Sequence, residues 1–368
     1  MDDVVRLARD LVAIDSRSAV SNLAVAGRIE AELNGFEVER IDYLDAAGVA
    51  KRALVASRGG PGGLAFSGHM DTVPEMGWTE DPWSAAIVDG ALRGLGSADM
   101  KGPVAACILA ARAVPDGVPV GLILTTDEET TKAGARAVVE RSELVRRMRP
   151  CGIVVAEPTR MIPVRGHRAH VAFTATATGV QAHSATGLGR NANWDLVEFL
   201  AEMKAIRRRL QEDPALQDSQ YDPVVSDFNL VIDNHGAAIN VTVPVATVRI
   251  KYRYSAGIDS EIVARAVRDA AARAGLVLHE AREGGPPELP ADHALVRNAV
   301  AVSGQAARTA PYGTDASVLQ EIAPCVIMGP GDIAVAHRDG EHVAVAELVA
   351  SLAVFTRLAV LCAGNAPQ

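Results

Sequence analysis

Cysteine is scarce in this chain. The 368 residues hold four, Cys107, Cys151, Cys325 and Cys362, far apart and with no C-x-x-C pair. That pattern offers no disulfide framework and predicts reduced, mostly buried thiols in a cytoplasmic protein. Positive charge is also in deficit: 36 Lys and Arg stand against 45 Asp and Glu, a formal net charge of −9. A binder of nucleic acid or of an anionic membrane needs a basic footprint, so both are excluded as general partners. The start, Met-Asp-Asp-Val-Val-Arg, lacks the basic-then-apolar order of a signal peptide. No run of about 18 apolar residues is evident, so no membrane span is expected. Internal repeats are absent. No Gly-x-Gly-x-x-Gly follows a first strand, which argues against a dinucleotide enzyme.

What is present is a large apolar fraction, 49%, with an ordinary 22% of charged residues. That composition supports a substantial core and argues against disorder. At roughly 100–200 residues per domain, the length suggests two domains. Residues 3–15 and 21–33 carry apolar side chains at helical spacing. Short apolar runs at 53–56, 64–67, 120–125 and 153–156 have the length of buried strands, and a helix is expected over 103–113. Strand–helix alternation of this kind marks an α/β sheet with helices on its faces.

The texture changes near Pro163. Residues 169–179 alternate like a half-exposed antiparallel strand, followed by a helix at 194–209, strands at 229–232 and 246–254, and a helix at 258–274. This order suits an α+β, ferredoxin-like insert. After residues 283–287, Glu-Gly-Gly-Pro-Pro, alternation resumes with a helix at 296–303, a strand at 325–328 and a closing helix at 343–361. The expected architecture is a catalytic α/β domain with a mixed central sheet, residues 1–165 and 286–368, interrupted by an inserted lid or dimerisation domain, residues 166–285.

Chemistry-bearing residues collect at the ends of the predicted strands. His69 and Asp71 share one strand face, so one can bind metal while the other holds the imidazole. Asp99 lies in a glycine-containing turn just ahead of a helix, where it can cap the helix or bridge two ions. Asp127, Glu128 and Glu129 follow the strand 120–125; three successive carboxylates repel one another, and a cation offsets that repulsion. Glu157 follows the next strand, and the segment from Gly329 to Glu341 brings His337. The carboxyl edge of an open α/β sheet is where active sites form. Imidazole and carboxylate ligands without thiolate suit catalytic Zn²⁺, with Mn²⁺ or Co²⁺ as alternatives.

Taken together, the segments Gly68–Pro74, Gly77–Trp83, Asp99–Gly102, Asp127–Glu129, Glu157–Thr159, Ala182–Ser184 and Gly329–His337 resemble the M20 zinc aminoacylases and metallopeptidases. The likeness is to the branch of acetylornithine deacetylase and succinyl-diaminopimelate desuccinylase, and it spans essentially the whole chain. The segments Trp78–Pro82 and Tyr312–Ala316, and Gly-Pro-Gly before Ala-His, most resemble the deacetylases. The resemblance implies two divalent ions, one on His69 and Glu157, the other on Glu129 and His337, with Asp99 bridging them and Asp71 orienting His69. Glu128 is implied as general base and then acid. His183 is implied to reach a partner subunit's site and stabilise the oxyanion, in a homodimer formed through the insert. Asn240 and Arg253 match substrate-contacting positions, and Gly313 and Thr314 lie in a further segment of that kind. Leu95 and Thr131 depart from the family pattern, and His167 and His170 carry no assigned role.

The reading that results is hydrolysis of a small N-acyl amino acid, N-acetylornithine first. Desuccinylation or dipeptide cleavage is the alternative within the class, and an inactive metal-binding scaffold the alternative outside it.

Overall fold

A computed structural model describes residues 2–364. The chain divides into two compact units. The first comprises residues up to 166, 287–308 and those from 314 onward; the second comprises 167–286 and 309–313.

The first unit is built on a mixed sheet. Its strands run in the order Glu37–Leu44, Ala50–Arg58, Val120–Thr125, Leu64–His69, Gly152–Pro158, Cys325–Gly329 and Val164–His167, with the short Arg308–Ala310 at the last edge. The four central strands, Val120–Thr125, Leu64–His69, Gly152–Pro158 and Cys325–Gly329, are mutually parallel. All four are buried along their whole length. Strands covered on both faces need continuous apolar sequence, which is why runs such as Val-Gly-Leu-Ile-Leu-Thr are legible at 120–125. Parallel alignment also sends all four carboxyl ends to one edge, with His69 directly opposite Thr125.

Helices cover the sheet. Asp3–Val12 turns Val4, Val5, Leu7, Ala8, Leu11 and Val12 inward, and Lys101–Ala113 is buried along most of its length. A side chain at Gly68 would fall 2.7 Å from Val104 Cγ2, so glycine there lets that helix lie close to the strand. The closing helix, Val345–Gly364, carries Glu347 and Arg357 and so is not an unbroken apolar run. Among the described residues it is the one helix long and apolar enough to cross a membrane by length and composition. A core helix meets the same test, and its face of Leu348, Ser351, Phe355, Leu358, Ala359 and Cys362 is buried in this unit. The Phe355 ring packs 5.2 Å from that of Phe66 on the central sheet.

The second unit has an antiparallel sheet in the order Phe228–Asp233, Val245–Tyr254, Ala169–Thr178, Val277–Arg282. Helices Asn193–Glu212 and Ser260–Arg273 pack on it through Phe199, Met203, Val263 and Val267. Alternate residues of Ala169–Thr178 and Val245–Tyr254 are buried, as expected for a sheet with one covered face. The chain order is β-α-β-β-α-β.

Sequence reasoning missed the strands Glu37–Leu44 and Val277–Arg282. Both are sheet edges rich in charge, so neither carries an apolar run.

Candidate metal centre

His69 ends its strand with a side chain 2% exposed. Its Nε2 lies 3.1 Å from Asp99 Oδ1, and its Nδ1 lies 3.0 Å from the main-chain oxygen of Asp71. The Asp71 carboxylate stands 3.6 Å from the same nitrogen. It also accepts the Ser18 hydroxyl at 2.7 Å and the main-chain N–H groups of Glu128 and Glu129 at 3.2 and 3.3 Å. Asp71 therefore does more than face the imidazole: it ties the 127–129 loop to the end of the neighbouring strand.

Asp99 sits in the turn before helix Lys101–Ala113, with a cis peptide bond to Met100. Its second oxygen, Oδ2, lies 3.1 Å from His337 Nε2. The same nitrogen is 2.9 Å from Glu129 Oε1. Two triads result, His69–Asp99–Glu157 and Asp99–Glu129–His337, each with its donor atoms within 4.8 Å of one another. Asp99 is common to both and offers a different oxygen to each histidine. Glu157, 4% exposed, brings its carboxylate into the first triad. The His337 side chain is 48% exposed, so the second triad opens to solvent.

The electrostatics fit a cation site. Burial and the neighbouring Asp99 charge raise the Glu157 carboxyl well above the usual range. The same two causes push Glu129 up to about 7. Burial works against protonation of His69, but Asp99, Asp71 and Glu157 outweigh it and hold the ring's pKa well above its ordinary value. Hydrogen bonds to Asp99 and Glu129 raise His337 to about 11. Burial alone would raise Asp99, yet its bonds to His337 and His69 bring it down. Acceptors crowded this closely hold protons unless a multivalent cation replaces them. Two imidazole nitrogens with three carboxylates are borderline-to-hard donors, and an ion such as Zn²⁺, Mn²⁺ or Co²⁺ suits them.

Glu128 follows directly on this centre. Its side chain is 11% exposed, and its Oε1 lies 3.5 Å from Lys132 Nζ. Burial raises its carboxyl, while Lys132 opposes the shift.

Sequence reasoning overlooked the charged groups behind the loop. Lys51 donates to the main-chain oxygens of Ser18 and Val20 at 2.6 and 2.9 Å and lies 3.0 Å from Asp127 Oδ1. Tyr43 donates its hydroxyl to Asp127 Oδ2 at 2.7 Å. Asp127, at φ 63°, is thereby an anchor rather than a ligand. Lys132 donates to Thr314 O at 2.8 Å and to Ser317 Oγ at 3.2 Å. Asp315 accepts the Thr125 hydroxyl at 2.5 Å. A lysine inside the apolar run Ala50–Arg58 was the available signal for Lys51; nothing local marked Lys132 or Asp315.

The remaining expected residues fall elsewhere. Thr314, in the first unit, is buried, and its hydroxyl accepts the Ala316 N–H within its own turn. Gly313, His183, Asn240 and Arg253 belong to the second unit. There the structure brings His183 and Asn240 together: His183 bridges Val241, and Ser184 N–H donates to Asn240 O at 2.9 Å. His183 Nδ1 accepts the Ala185 N–H at 3.2 Å, which leaves Nε2 as the proton-bearing nitrogen of the neutral ring. Arg253 is 3.7 Å from Asp227 and apart from that pair. His167 and His170 have structural partners: His167 Nδ1 lies 2.9 Å from Arg168 O, and His170 Nε2 lies 2.8 Å from Glu283 Oε1.

Residues 65–360 match the model of peptidase family M20/M25/M40. The acetylornithine deacetylase of Myxococcus xanthus is 34% identical over 97% of each chain. That of Yersinia pestis is 31% identical over 92% of each. Among solved structures, a tripeptidase from Staphylococcus aureus superposes with a TM-score of 0.75 at 18% identity, over 99% of this chain and 98% of its own. An M20 family metallo-carboxypeptidase from Sulfolobus solfataricus gives 0.75 at 14%, over 99% and 100%. A family model covering most of the chain, joined to relatives above 30% identity along nearly its whole length, establishes that this chain belongs to peptidase family M20/M25/M40 and is a hydrolase.

Proposed function

We propose that the protein hydrolyses the amide bond of an N-acyl amino acid, releasing a carboxylic acid and a free amine, with N-acetylornithine as the first substrate to try. The observation that carries this reading is the Asp99 carboxylate, whose two oxygens each face a different histidine at 3.1 Å. His69, Asp99 and Glu157 would hold one divalent ion, and Asp99, Glu129 and His337 the other, with Zn²⁺ the first choice. Such a pair supplies Lewis acidity toward a carbonyl and acidifies water near neutral pH. Glu128 takes the proton of the attacking water and returns it to the departing amine. His183, with its proton on Nε2, donates to the developing oxyanion. Asn240, Arg253 and Gly313 are the proposed substrate contacts in the second unit, and Thr314 shapes the turn beside Gly313.

The acyl group follows from the deacetylase relatives in Myxococcus and Yersinia. The proposed assembly is a homodimer through residues 166–285, serving as lid and dimerisation domain. Trp194, 73% exposed, and Val197, 51% exposed, on helix Asn193–Glu212 support it, because large apolar side chains in the open suit an interface. Unpaired cysteines support a reducing, cytoplasmic setting.

The test is a substrate panel of N-acetyl, N-succinyl and N-formyl amino acids and dipeptides, assayed with added Zn²⁺, Co²⁺ or Mn²⁺. Turnover of N-acetylornithine is the expected result. Dipeptide cleavage or desuccinylation without acetyl-amide turnover overturns the substrate assignment. Two bound ions with no turnover of any member favour a scaffold.

A further inference from the structure

Four residues after His337 comes a carboxylate that neither triad uses. Glu341 is 1% exposed, although it lies in a connecting segment. Its Oε1 accepts the main-chain N–H of Ala98 at 2.9 Å and that of Asp99 at 3.0 Å. Its own main-chain oxygen accepts the Gly94 N–H at 3.1 Å. No lysine or arginine forms a close ion pair with it among the described residues; buried Lys101 acts on it only through longer-range charge. A buried carboxylate without a cationic partner is costly and persists only when its hydrogen bonds are well made. Here the donors belong to the turn that carries the shared ligand.

The geometry of that turn is demanding. Asp99 must aim one oxygen at His69 and the other at His337 from a single backbone position. The turn is also tightly confined: a side chain at Gly96, φ 80°, would come within 2.6 Å of Lys101 Cε and Thr72 Cγ2. Main-chain bonds from Ser97 N–H to Gly94 O and from Lys101 N–H to Gly96 O hold the turn's shape, and the bond from the Asp99 N–H to Glu341 ties that turn to the segment of His337.

We propose that Glu341 is a positioning residue for the two-ion centre, clamping the main chain of Asp99 so that its carboxylate spans both triads. The clamp also links the segment carrying His337 to the turn carrying Asp99, so the two sides of the second triad move together. This inference rests on the metal-binding reading of the triads, not on the identity of the substrate.

The test is calorimetric titration of the metal-stripped, full-length chain with Zn²⁺. Glu341→Ala is expected to lower affinity by about 10–100-fold, the range for groups that hold a metal ligand from behind. Glu341→Gln keeps the Oε1 that makes both bonds and should bind nearly as tightly as the wild type. The control is Glu39→Ala, whose carboxylate similarly accepts the N–H groups of Glu143 and Leu144 at the start of another helix. That variant should lose thermal stability without losing metal affinity.

Unchanged affinity in Glu341→Ala overturns the proposal, whatever its melting temperature. Equal weakening in Glu341→Gln and Glu341→Ala also overturns it, since charge and not the clamp would then matter. Should Glu341→Ala fail to fold, Glu341→Asp, a methylene short of the Asp99 N–H, carries the same test with the same overturning result. A wild-type chain that binds no metal overturns the metal reading itself. Two ions in the wild type with an unaffected Glu341→Ala overturns this proposal alone.

Discussion

Glu128 and Glu129 are chain neighbours with different surroundings. Glu129 Oε1 is 2.9 Å from His337 and belongs to a triad, whereas Glu128 Oε1 points toward Lys132. Glu128→Ala should therefore still bind two metal ions by titration while kcat falls by about 10²–10⁴-fold, the usual worth of a positioned acid–base group. Retained turnover would remove Glu128 from the mechanism. A second residue-level consequence concerns pH. Burial raises Glu129, Asp315 and Glu341 each to about 7, from ordinary values of 4.5, 3.8 and 4.5. In the folded, metal-free chain they retain protons that the unfolded chain has already released. Their contribution to stability is thus full below the ordinary values and lost as pH rises through about 7. The melting temperature of the metal-stripped protein should fall between about pH 5 and 7. Added Zn²⁺ should lessen that fall, because metal affinity grows as ligand protons leave. A melting curve that is flat or rising over this window in the stripped protein contradicts the assignment.

At the scale of elements, the site depends on four parallel strands ending together. Their burial supplies apolar contact on both faces, and the closing helix Val345–Gly364 covers part of one face through Phe355 and Leu358. Phe355→Ala removes a buried ring that packs 5.2 Å from Phe66. The expected loss is about 3–5 kcal/mol of stability, measured by denaturant unfolding, with metal stoichiometry and KM unchanged in the protein that remains folded. The effect separates what supports the sheet from what performs chemistry at its edge. The same helix shows why apolar length alone is ambiguous: a core helix and a membrane span share a composition, and only packing tells them apart.

At the scale of the molecule, the chemistry-bearing residues are divided between two units: the triads and Glu128 lie in one, His183 and Asn240 in the other. If His183 serves a partner subunit's centre, inactive His183→Ala and Glu128→Ala chains complement each other in a mixed dimer, since one centre then holds both an intact Glu128 and an intact His183. Partial recovery of turnover on mixing is the expected outcome. No recovery, with subunit exchange verified, rules out action in trans.

The sequence by itself determined the buried central strands and the chemistry-bearing residues His69, Asp99, Glu129, Glu157 and His337, while their sharing between two ions came from the family resemblance. These features are local: continuous apolar runs mark strands covered on two faces, and imidazoles and carboxylates follow directly at their ends. Charged edge strands stayed hidden because half their side chains face water and leave no apolar run. Only the tertiary structure decided how those residues act together. It placed the two oxygens of Asp99 against histidines 30 and 238 positions away along the chain. It showed that Asp71 anchors a loop as well as facing His69, and it brought Lys132 to Thr314 and Glu341 to Asp99. Such contacts join segments far apart in sequence, so no periodicity or spacing encodes them; they exist once the sheet edge has formed.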